Sequence, residues 1–287
     1  MKIYINGGLG NQLFQWAHMH FLSQKLNTLP KIWKDQNPRN DRPFELELLL
    51  KTCDHHQGVS SINSGIKPFI RKISKVLPVV RYKSYEILTE DKEFRYLDLS
   101  EKVTKQSLVQ GYFQNWQYVE SVWGVIGDEL NEFISNVRIP NLENFSKPIV
   151  VLHIRRGDYK LLSSSFGLLD VEYYRDCLNN IRSEISSKPY VVIISDDVDS
   201  ASQIISSLEP DQILAPKEAS AWQCLALMKS ASYVVAANST LSWWGAYLCL
   251  KSGGISYIPN PWFKDFFSNE KGSFAQPEFR KMKSSFE

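Results

Sequence analysis

The 287-residue sequence has no long apolar run, few cysteines and almost no net charge. No run approaches the roughly 18 apolar residues of a membrane-spanning helix, and the opening MKIYINGG contains no signal-peptide core. The four cysteines form no CxxC pair, which is typical of free thiols in a reducing compartment. With 33 basic residues against 31 acidic ones, the chain lacks the basic surplus of a nucleic-acid binder. We therefore expect a cytoplasmic protein with no nucleic-acid partner.

Aromatic and aliphatic residues, in contrast, are plentiful. The chain has 15 Phe, 13 Tyr and 8 Trp, and 43% of its residues are hydrophobic, which is ample for a large packed core. The length corresponds to one large domain or two domains of roughly 150 residues each. The stretch RIPNLENFSKP at 138–148 has the Pro, Asn and Ser content of a linker. We predict one domain at 1–145 and a second at 146–287.

Short apolar runs alternate with helix-like segments in the second half of the chain. The predicted strands are 149–153, 190–195, 212–214, 233–237 and 255–258, and the predicted helices are 171–186, 198–208, 218–230 and 240–251. This alternation indicates a parallel sheet covered on both faces, and such sheets bind ligands at the carboxyl ends of their strands. The chain also opens as a strand, a glycine turn and a helix. The predicted fold class is therefore α/β.

The first strand of the second half ends in HIRRGDY, residues 153–159. A guanidinium is a planar, permanently charged donor suited to bidentate phosphate binding, so Arg155 and Arg156 predict an anion site. Gly157 permits a tight turn, and Asp158 is placed to pin one arginine. Two interpretations stay open from spacing alone: an anion site, or an arginine–aspartate pair that braces a loop.

The strand YVVAA is followed by Asn238, Ser239 and Thr240 and then by a helix. Hydroxyls at a helix start cap free N–H groups, and the same N-terminus favours a phosphate. Capping explains any single hydroxyl, whereas three polar residues beside an arginine pair favour a diphosphate site. Of the next two aromatic residues, Trp243 and Trp244, we expect one to stack on a sugar and one to fill the core.

Ser195, Asp196, Asp197 and Asp199 follow the second strand of this half. An Asp-x-Asp pattern holds Mg²⁺ or Mn²⁺ in many nucleotide-sugar enzymes. The arginine pair already supplies the positive charge of such a metal, and helix N-termini prefer acids. We therefore predict a helix cap and a nucleotide contact, with no metal.

The first glycine turn, GGLGNQ, differs from the two familiar phosphate-binding patterns. It has neither the GxGxxG spacing of a dinucleotide fingerprint nor the GK[ST] of a P-loop. Gly8 and Gly10 still allow the backbone to approach a ligand, and Asn11 and Gln12 supply polar side chains at a helix start.

Taken in order, GGLGNQLFQ, HIRRGDY, SDD and NSTLSWWGAYL resemble the bacterial α-1,2-fucosyltransferases. PFELELL at 43–49 and GYFQNWQY at 111–118 are also similar to parts of that family, so the resemblance spans nearly the whole chain. It implies a GT-B-like fold of two Rossmann-like domains with parallel sheets facing across a cleft. It further implies an acceptor-side first domain, a GDP-fucose-binding second domain, and inversion at the fucose anomeric carbon, with no cofactor.

The resemblance also assigns roles by position. Arg155 would grip the donor β-phosphate, Arg156 and Asp158 would shape the loop, and His153 would contact the guanosine. The diphosphate would be bound by the hydroxyls of Ser239, Thr240 and Ser242, which follow the fourth strand of the second half. The fucose would be contacted by Asn11 of the first domain. Asp158 is also the candidate catalytic base. The remaining predicted substrate contacts are Gly8, Gly10, Gln12, Ser195, Asp196, Asp197, Asn238 and Trp243.

One position departs from the family pattern. The family usually has Asp in the helix before the fourth strand, at about the place of Cys224. If that Asp reads guanine, either Glu218 or Asp196 must replace it, or the donor preference is looser. Two other functions stay open: a metal-dependent transferase for another nucleotide sugar that uses Asp197 and Asp199, and a non-catalytic sugar- or nucleotide-binding module.

The expected acceptor is a glycan, with the 2-hydroxyl of a terminal galactose as the attacking group. A lipid-linked O-antigen or capsule precursor would suit an enzyme at the inner face of the membrane. The stretch 66–85 carries six Lys or Arg and no acid. Two interpretations of this stretch stay open: a solvated helix face, or peripheral contact with an anionic membrane surface.

Overall fold

The computed structural model describes residues 1–28, 30–35, 43–53, 60–62, 79–82, 85–89, 95–139, 147–214, 219–264 and 273–287. The chain forms two compact units, Met1–Phe133 and Ile134–Glu287. The domain boundary predicted at 145/146 falls within 140–146, outside the described residues.

The first unit is built on a six-stranded sheet. Its strands are β1 (Lys2–Ile5), β2 (Lys31–Asp35), β3 (Ser60–Ile62), β4 (Val79–Tyr82), β5 (Tyr85–Thr89) and β6 (Ser107–Gln110). They lie in the order β3-β2-β1-β6-β5-β4, and all neighbours are parallel except β4 and β5. β1 is central, and its residues Ile3, Tyr4 and Ile5 are buried, as expected of an inner strand.

Three described helices belong to this part of the chain: α1 (Leu9–Leu26), α2 (Glu47–Leu50) and α3 (Trp116–Ser135). α1 begins at Leu9, within the glycine turn, and its C-cap residue Asn27 has the left-handed conformation. In α3 the buried residues Val119, Val122, Ile126 and Leu130 recur at helical spacing, so one face packs on the core.

The second unit contains a sheet of six parallel strands. They are β7 (Ile149–Ile154), β8 (Tyr190–Ser195), β9 (Gln212–Leu214), β10 (Tyr233–Val235), β11 (Ile255–Asn260) and β12 (Arg280–Lys283). Four helices alternate with them: α4 (Val171–Glu184), α5 (Ser202–Leu208), α6 (Ala221–Ser230) and α7 (Thr240–Lys251). Every residue of β7 and β8 is buried, because helices cover both faces of a parallel sheet. The predicted α/β class with parallel sheets is confirmed.

In each sheet the strand order reverses at one point. From β7 the chain moves outward to β8 and β9, and then returns to the other side of β7 at β10. In the first unit β2 and β6 likewise lie on opposite sides of β1. Parallel sheets bind ligands at such switch points, outside the carboxyl ends of the strands. HIRRGDY follows β7 and Asn238–Thr240 follow β10, so these two motifs meet at the switch point of the second unit.

Candidate functional site

The arginine turn, residues 155–158, leaves the carboxyl end of β7 beside the end of β8. Asp196, just past β8, holds it with both carboxylate oxygens. Oδ1 accepts the backbone N–H of Arg156 at 2.8 Å, and Oδ2 lies 2.9 Å from Nη1 of Arg155. A Cβ atom at Gly157 would lie 2.3 Å from Asp196 Oδ2. Any side chain at position 157 would therefore displace the Asp196 carboxylate that holds the turn.

Arg155 lies between two carboxylates. Its Nη2 donates to Oδ1 of Asp158 at 2.5 Å, and its guanidinium carbon is 5.3 Å from the centre of the Tyr159 ring. The Arg155 side chain is 15% exposed, and its Nε–H is buried with no hydrogen-bond partner in the described part of the chain. The two carboxylates fix the plane of the guanidinium, and neither of them accepts this N–H. Asp158 is 48% exposed, and its role as a base stays a prediction.

Arg156 points into the protein and away from solvent. Its side chain is 3% exposed, and Nη2 donates to Oε1 of Glu287 at 2.6 Å. Nε and Nη1 are buried and have no partner among the described residues. Sequence reasoning missed Glu287, which is separated from Arg156 by 131 positions and carries no local signal that links the two.

His153 is buried in β7, and its Nδ1 has no partner in the part of the chain that the structure describes. Burial lowers the pKa of His153 from 6.5 to about 4, although the Asp196 charge opposes that effect. The imidazole is therefore neutral at neutral pH. The backbone carbonyl of His153 accepts a hydrogen bond from the Tyr174 hydroxyl at 3.2 Å. Contact with a guanosine stays a prediction.

Two of the predicted ligand contacts after β10 have internal partners instead. Asn238 Nδ2 donates to the carbonyls of Phe166 and Gly167 at 2.8 and 3.2 Å, which joins the turn to the loop before α4. Ser242 is fully buried, and its Oγ accepts the N–H of Ala237 at 2.8 Å. The expectation that Ser242 binds the diphosphate is therefore wrong: its hydroxyl satisfies a backbone group of the turn.

The N-terminus of α7 has no side-chain cap. Ser239 is the N-cap residue with extended backbone (φ −126°, ψ 138°), yet its side chain makes no capping hydrogen bond, and the first turn contains no acid. Ser239 is buried and Thr240 is half-buried. The ordinary capping interpretation does not apply to Ser239, and the N-terminus of this 12-residue helix carries the partial positive charge of the helix dipole.

Both tryptophans of α7 lie in the core. Trp243 and Trp244 are fully buried. The Trp243 ring stacks on Tyr247 at 5.1 Å between centroids, and its Nε1 donates to the carbonyl of Phe274 at 2.8 Å. The expectation that one of them stacks on a sugar is wrong, because their large apolar surfaces fill the interior of the second unit.

The Asp197 carboxylate is paired with Lys160 and Ser200. Its Oδ2 lies 2.7 Å from Lys160 Nζ, and it accepts the N–H and hydroxyl of Ser200. The hydrogen bond from Lys160 holds the pKa of Asp197 well below its usual range. The buried Ser195 accepts the N–H of Asp197, and Asp199 is exposed. Because Asp197 caps a turn at 197–200, α5 begins at Ser202 and not at 198. Among the described residues, no three His, Cys, Asp or Glu side chains group as metal ligands would.

The glycine turn of the first unit depends on its glycines. Gly7 has φ +81°, and a Cβ atom there would lie 2.7 Å from Asn11 Nδ2. Gly8 is the N-cap of α1, and Gly10, in the first turn of α1, is buried. α1 has no side-chain cap and no acid in its first turn. Asn11 Oδ1 accepts Gln114 Nε2 at 2.8 Å, so the loop after β6 orients the Asn11 amide.

Gln12 is not available to a ligand. It is buried, its Nε2 donates to the carbonyls of Gly7 and Pro43 at 2.7 and 2.8 Å, and its Oε1 accepts the N–H of Leu46 at 2.9 Å. The predicted substrate contact is therefore wrong, because all these groups are used to join the glycine turn to residues 43–46.

The loop after β6 holds residues that sequence reasoning did not assign individually. Phe113 has φ +51°, which is uncommon outside glycine and is found at strained sites. Its ring stacks on His18 at 3.7 Å between centroids. The stack fixes the backbone next to Gln114, which in turn holds Asn11. The sequence GYFQNWQY indicated this region but gave no sign of the backbone conformation.

The family model for "Glycosyl transferase family 11" matches residues 1–282. This chain belongs to glycosyl transferase family 11. Two curated relatives from Escherichia coli are similar over most of both chains. The chain is 27% identical to the O-antigen biosynthesis glycosyltransferase WbnK over 287 residues (90% of this chain, 93% of the relative). It is 28% identical to an alpha-1,2-colitosyltransferase over 284 residues (90% of each chain).

Solved structures resemble this glycosyltransferase at lower sequence identity. The fucosyltransferase NodZ from Bradyrhizobium aligns with TM-score 0.44 at 14% identity, covering 86% of this chain and 92% of NodZ. The ADP-heptose lipopolysaccharide heptosyltransferase II of E. coli aligns with TM-score 0.47 at 11% identity, covering 98% and 90%.

At Cys224, where the family pattern has Asp, the structure places the thiol and one of its two candidate substitutes. Cys224 is buried in α6. Of its two predicted substitutes, Glu218 lies outside the described residues, and Asp196 has both carboxylate oxygens engaged by the arginine turn. Guanine recognition by Asp196 would have to coexist with that role.

Most of the basic stretch 66–85 lies outside the described residues of the glycosyltransferase. The backbone of 79–82 forms β4, and Tyr85 begins β5. The solvated-helix and membrane-contact interpretations thus both stay predictions. No helix in the described ranges is long and apolar enough to cross a membrane.

Proposed function

We propose that this family-11 glycosyltransferase transfers L-fucose from GDP-fucose to a glycan hydroxyl, with inversion, and forms an α-1,2 linkage. The observation that carries the proposal is Arg155 at the β7–β10 switch point. Its guanidinium is oriented by two carboxylates and retains a buried Nε–H with no partner in the described structure. A buried donor without a partner costs about 1–3 kcal/mol, which a phosphate oxygen would offset.

The N-terminus of α7 supplies the second part of the anion site. β10 pairs with β7 in register Val235 to Leu152, so the residues after the two strands are neighbours. The Tyr159 hydroxyl donates to the Asn238 carbonyl at 2.8 Å, which fixes the arginine turn against the start of α7. A diphosphate here would accept N–H groups from both sides, and fixed donors of this kind suit a leaving group that gains negative charge.

The reaction follows from a diphosphate held in this way. An acceptor oxygen attacks the anomeric carbon opposite the leaving group, and the bond from that carbon to the diphosphate oxygen breaks. GDP leaves with the bonding electrons, the hydroxyl proton passes to Asp158 or to solvent, and a β-linked donor gives an α-linked product. Arg155 stabilises the charge that builds on the diphosphate.

The relatives' names support the linkage and the acceptor class. One names α-1,2 transfer of colitose, and the other names O-antigen biosynthesis. We propose an O-antigen-type glycan with a terminal galactose as the acceptor. Colitose is the 3-deoxy counterpart of L-fucose, so a GDP-linked colitosyl group is the second candidate donor.

The donor test is a comparison of nucleotide sugars with one acceptor. We expect the protein, given a β-galactoside, to release GDP from GDP-fucose or GDP-colitose and to leave GDP-mannose and UDP-galactose intact. NMR of the product should show the new bond at the galactose 2-hydroxyl with α configuration. Release of UDP from UDP-galactose, or a product linked elsewhere, would contradict the proposal, and no turnover with any donor would favour a binding module.

We also propose that the transfer needs no metal. The Asp197 carboxylate pairs with Lys160 and Ser200. In this proposal the Arg155 guanidinium neutralises the diphosphate charge that a divalent cation would otherwise neutralise. Saturating EDTA should leave the rate within about twofold, a barrier change of less than ~1 kcal/mol. A tenfold loss restored by Mn²⁺ would favour the metal-dependent alternative.

A further inference from the structure

The charge of Arg156 is almost entirely buried, and in the described structure it has one carboxylate partner. Its guanidinium donates to Glu287, while its backbone N–H donates to Asp196. Nε and Nη1 have no partner within the described ranges. The Glu287 side chain is half-exposed, so only the arginine side of the pair is buried. A buried guanidinium depends strongly on its one counter-charge, because removal of that partner leaves its charge uncompensated.

Glu287 is held in place by the backbone around it. The N–H of Glu287 donates to the carbonyl of Leu168 at 2.9 Å, and Leu169 and Phe286 form an antiparallel bridge. The Ser285 hydroxyl donates to Asp170 at 2.5 Å. Segment 284–287 is therefore fixed along the loop before α4, and the Glu287 carboxylate reaches Arg156 from a defined position.

The same loop contacts the turn at the start of α7. Asn238 Nδ2 donates to the carbonyls of Phe166 and Gly167, directly before the residues that hold segment 284–287. A Cβ atom at Gly167 would lie 2.4 Å from the Phe286 ring, so the two segments are tightly packed. One layer of contacts thus joins segment 284–287, the loop and the proposed diphosphate site.

We propose that Glu287 is a positioning residue for the transfer reaction. By neutralising Arg156 inside the protein, it leaves the carboxylates of Asp196 and Asp158 to Arg155. Without Glu287, we expect the Arg156 guanidinium to pair with another carboxylate. Asp196 is the candidate, because it already accepts the backbone N–H of Arg156. Arg155 would then lose the partner that orients it.

This inference rests on the proposed function, because it assumes that Arg155 binds the donor diphosphate. It also goes beyond the family match, which ends at residue 282 and does not include Glu287.

The test compares GDP affinity and donor kinetics in Glu287→Gln and a matched control. Glu184→Gln removes the same charge from a partly exposed pair with Arg280 at the end of α4. We expect Glu287→Gln to weaken GDP binding and raise the donor KM by roughly tenfold, and Glu184→Gln to change neither by more than about twofold. Glu287→Asp should recover part of the loss. Wild-type GDP affinity in Glu287→Gln would overturn the inference.

A double-mutant cycle separates positioning from a general loss of structure. If Glu287 acts through Arg156, Glu287→Gln should have no further effect on GDP affinity in an Arg156→Met background, in which no buried charge remains. Additive losses in the double variant would overturn the inference, since Glu287 would then act by another route.

A measurement without ligand distinguishes failure of the inference from failure of the proposed function. The Nη2–H resonances of Arg156, which belong to the group that donates to Glu287, should exchange slowly with water in ¹⁵N NMR spectra of the wild type and quickly in Glu287→Gln. If the wild type does not bind GDP, the donor assignment fails, while this comparison still tests the pair. Equal exchange in both proteins would overturn the inference directly.

Discussion

At the residue scale, adding a single methyl group at Gly157 should lower turnover strongly and stability only moderately. A Cβ atom there would lie 2.3 Å from Asp196 Oδ2, so Gly157→Ala must displace the carboxylate that orients Arg155. We expect turnover to fall by about tenfold or more, with a loss of stability of at most ~3 kcal/mol. Steady-state kinetics and thermal unfolding on the same preparations measure the two effects.

Gly124 provides the control for that substitution. It lies within α3, and a Cβ atom there meets no atom within 4 Å. Gly124→Ala should stabilise the protein by about 0.5–1 kcal/mol and leave turnover unchanged, because alanine is the better helix former. Equal kinetics in the two alanine variants would show that the Asp196 contact does not matter for catalysis.

Particular residues show how far the site could be predicted from the sequence. Arg155 and Asp196 were expected together, because parallel strands bring their carboxyl ends to one edge. Gln12 and Ser242 were misassigned, since polar residues beside a strand end also satisfy the backbone groups of the turn. Glu287 could not be found, because its contact with Arg156 depends on the tertiary structure alone.

At the scale of single elements, α1 contains a buried histidine that predicts acid sensitivity. His18 is fully buried, and burial lowers its pKa from 6.5 to about 3. Below pH 6.5 the unfolded chain binds a proton there that the folded protein does not, so stability falls as the pH drops from 6.5 toward 3. The loss approaches about 1.4 kcal/mol per pH unit. His153 in β7 adds a loss of the same sign down to about pH 4.

His18→Phe tests that origin. Both ring nitrogens of His18 are buried without a hydrogen-bond partner in the described structure, and the ring stacks on Phe113. A phenyl ring keeps the stack and cannot be protonated, so the free energy of unfolding should vary less between pH 7 and pH 4.5, by roughly 2 kcal/mol. Urea unfolding at the two pH values measures it. An unchanged pH dependence would place the acid sensitivity elsewhere.

Strand and helix patterns were predicted more completely in the second unit than in the first. The runs 149–153, 190–195 and 212–214 coincide closely with β7, β8 and β9, because strands buried on both faces are almost wholly apolar. β2 and β12 were missed: KIWKD contains only two apolar residues and RKMK only one, so neither carries a continuous apolar run. Their assignment depends on pairing with β1 and β11.

At the scale of the whole molecule, the two units share one organisation. Each sheet has a switch point beside a central buried strand, and an uncapped helix N-terminus follows that strand or its neighbour: α1 after β1, and α7 after β10. The second unit adds the oriented guanidinium of Arg155, which is why we assign it the charged part of the donor. The first unit presents the amide of Asn11 and no described basic side chain in the first turn of α1.

The most direct test of this account is the donor turnover and GDP affinity of Arg155→Lys. An ammonium keeps the charge but cannot contact two carboxylates and a phosphate from one plane, so we expect turnover to fall by about 10²–10³-fold and GDP binding to weaken, with thermal unfolding unchanged. Arg175→Lys, in an exposed pair with Glu172 on α4, is the matched control and should behave as the wild type. If Arg155→Lys turns over GDP-fucose at the wild-type rate, Arg155 does not bind the diphosphate and the central claim is wrong.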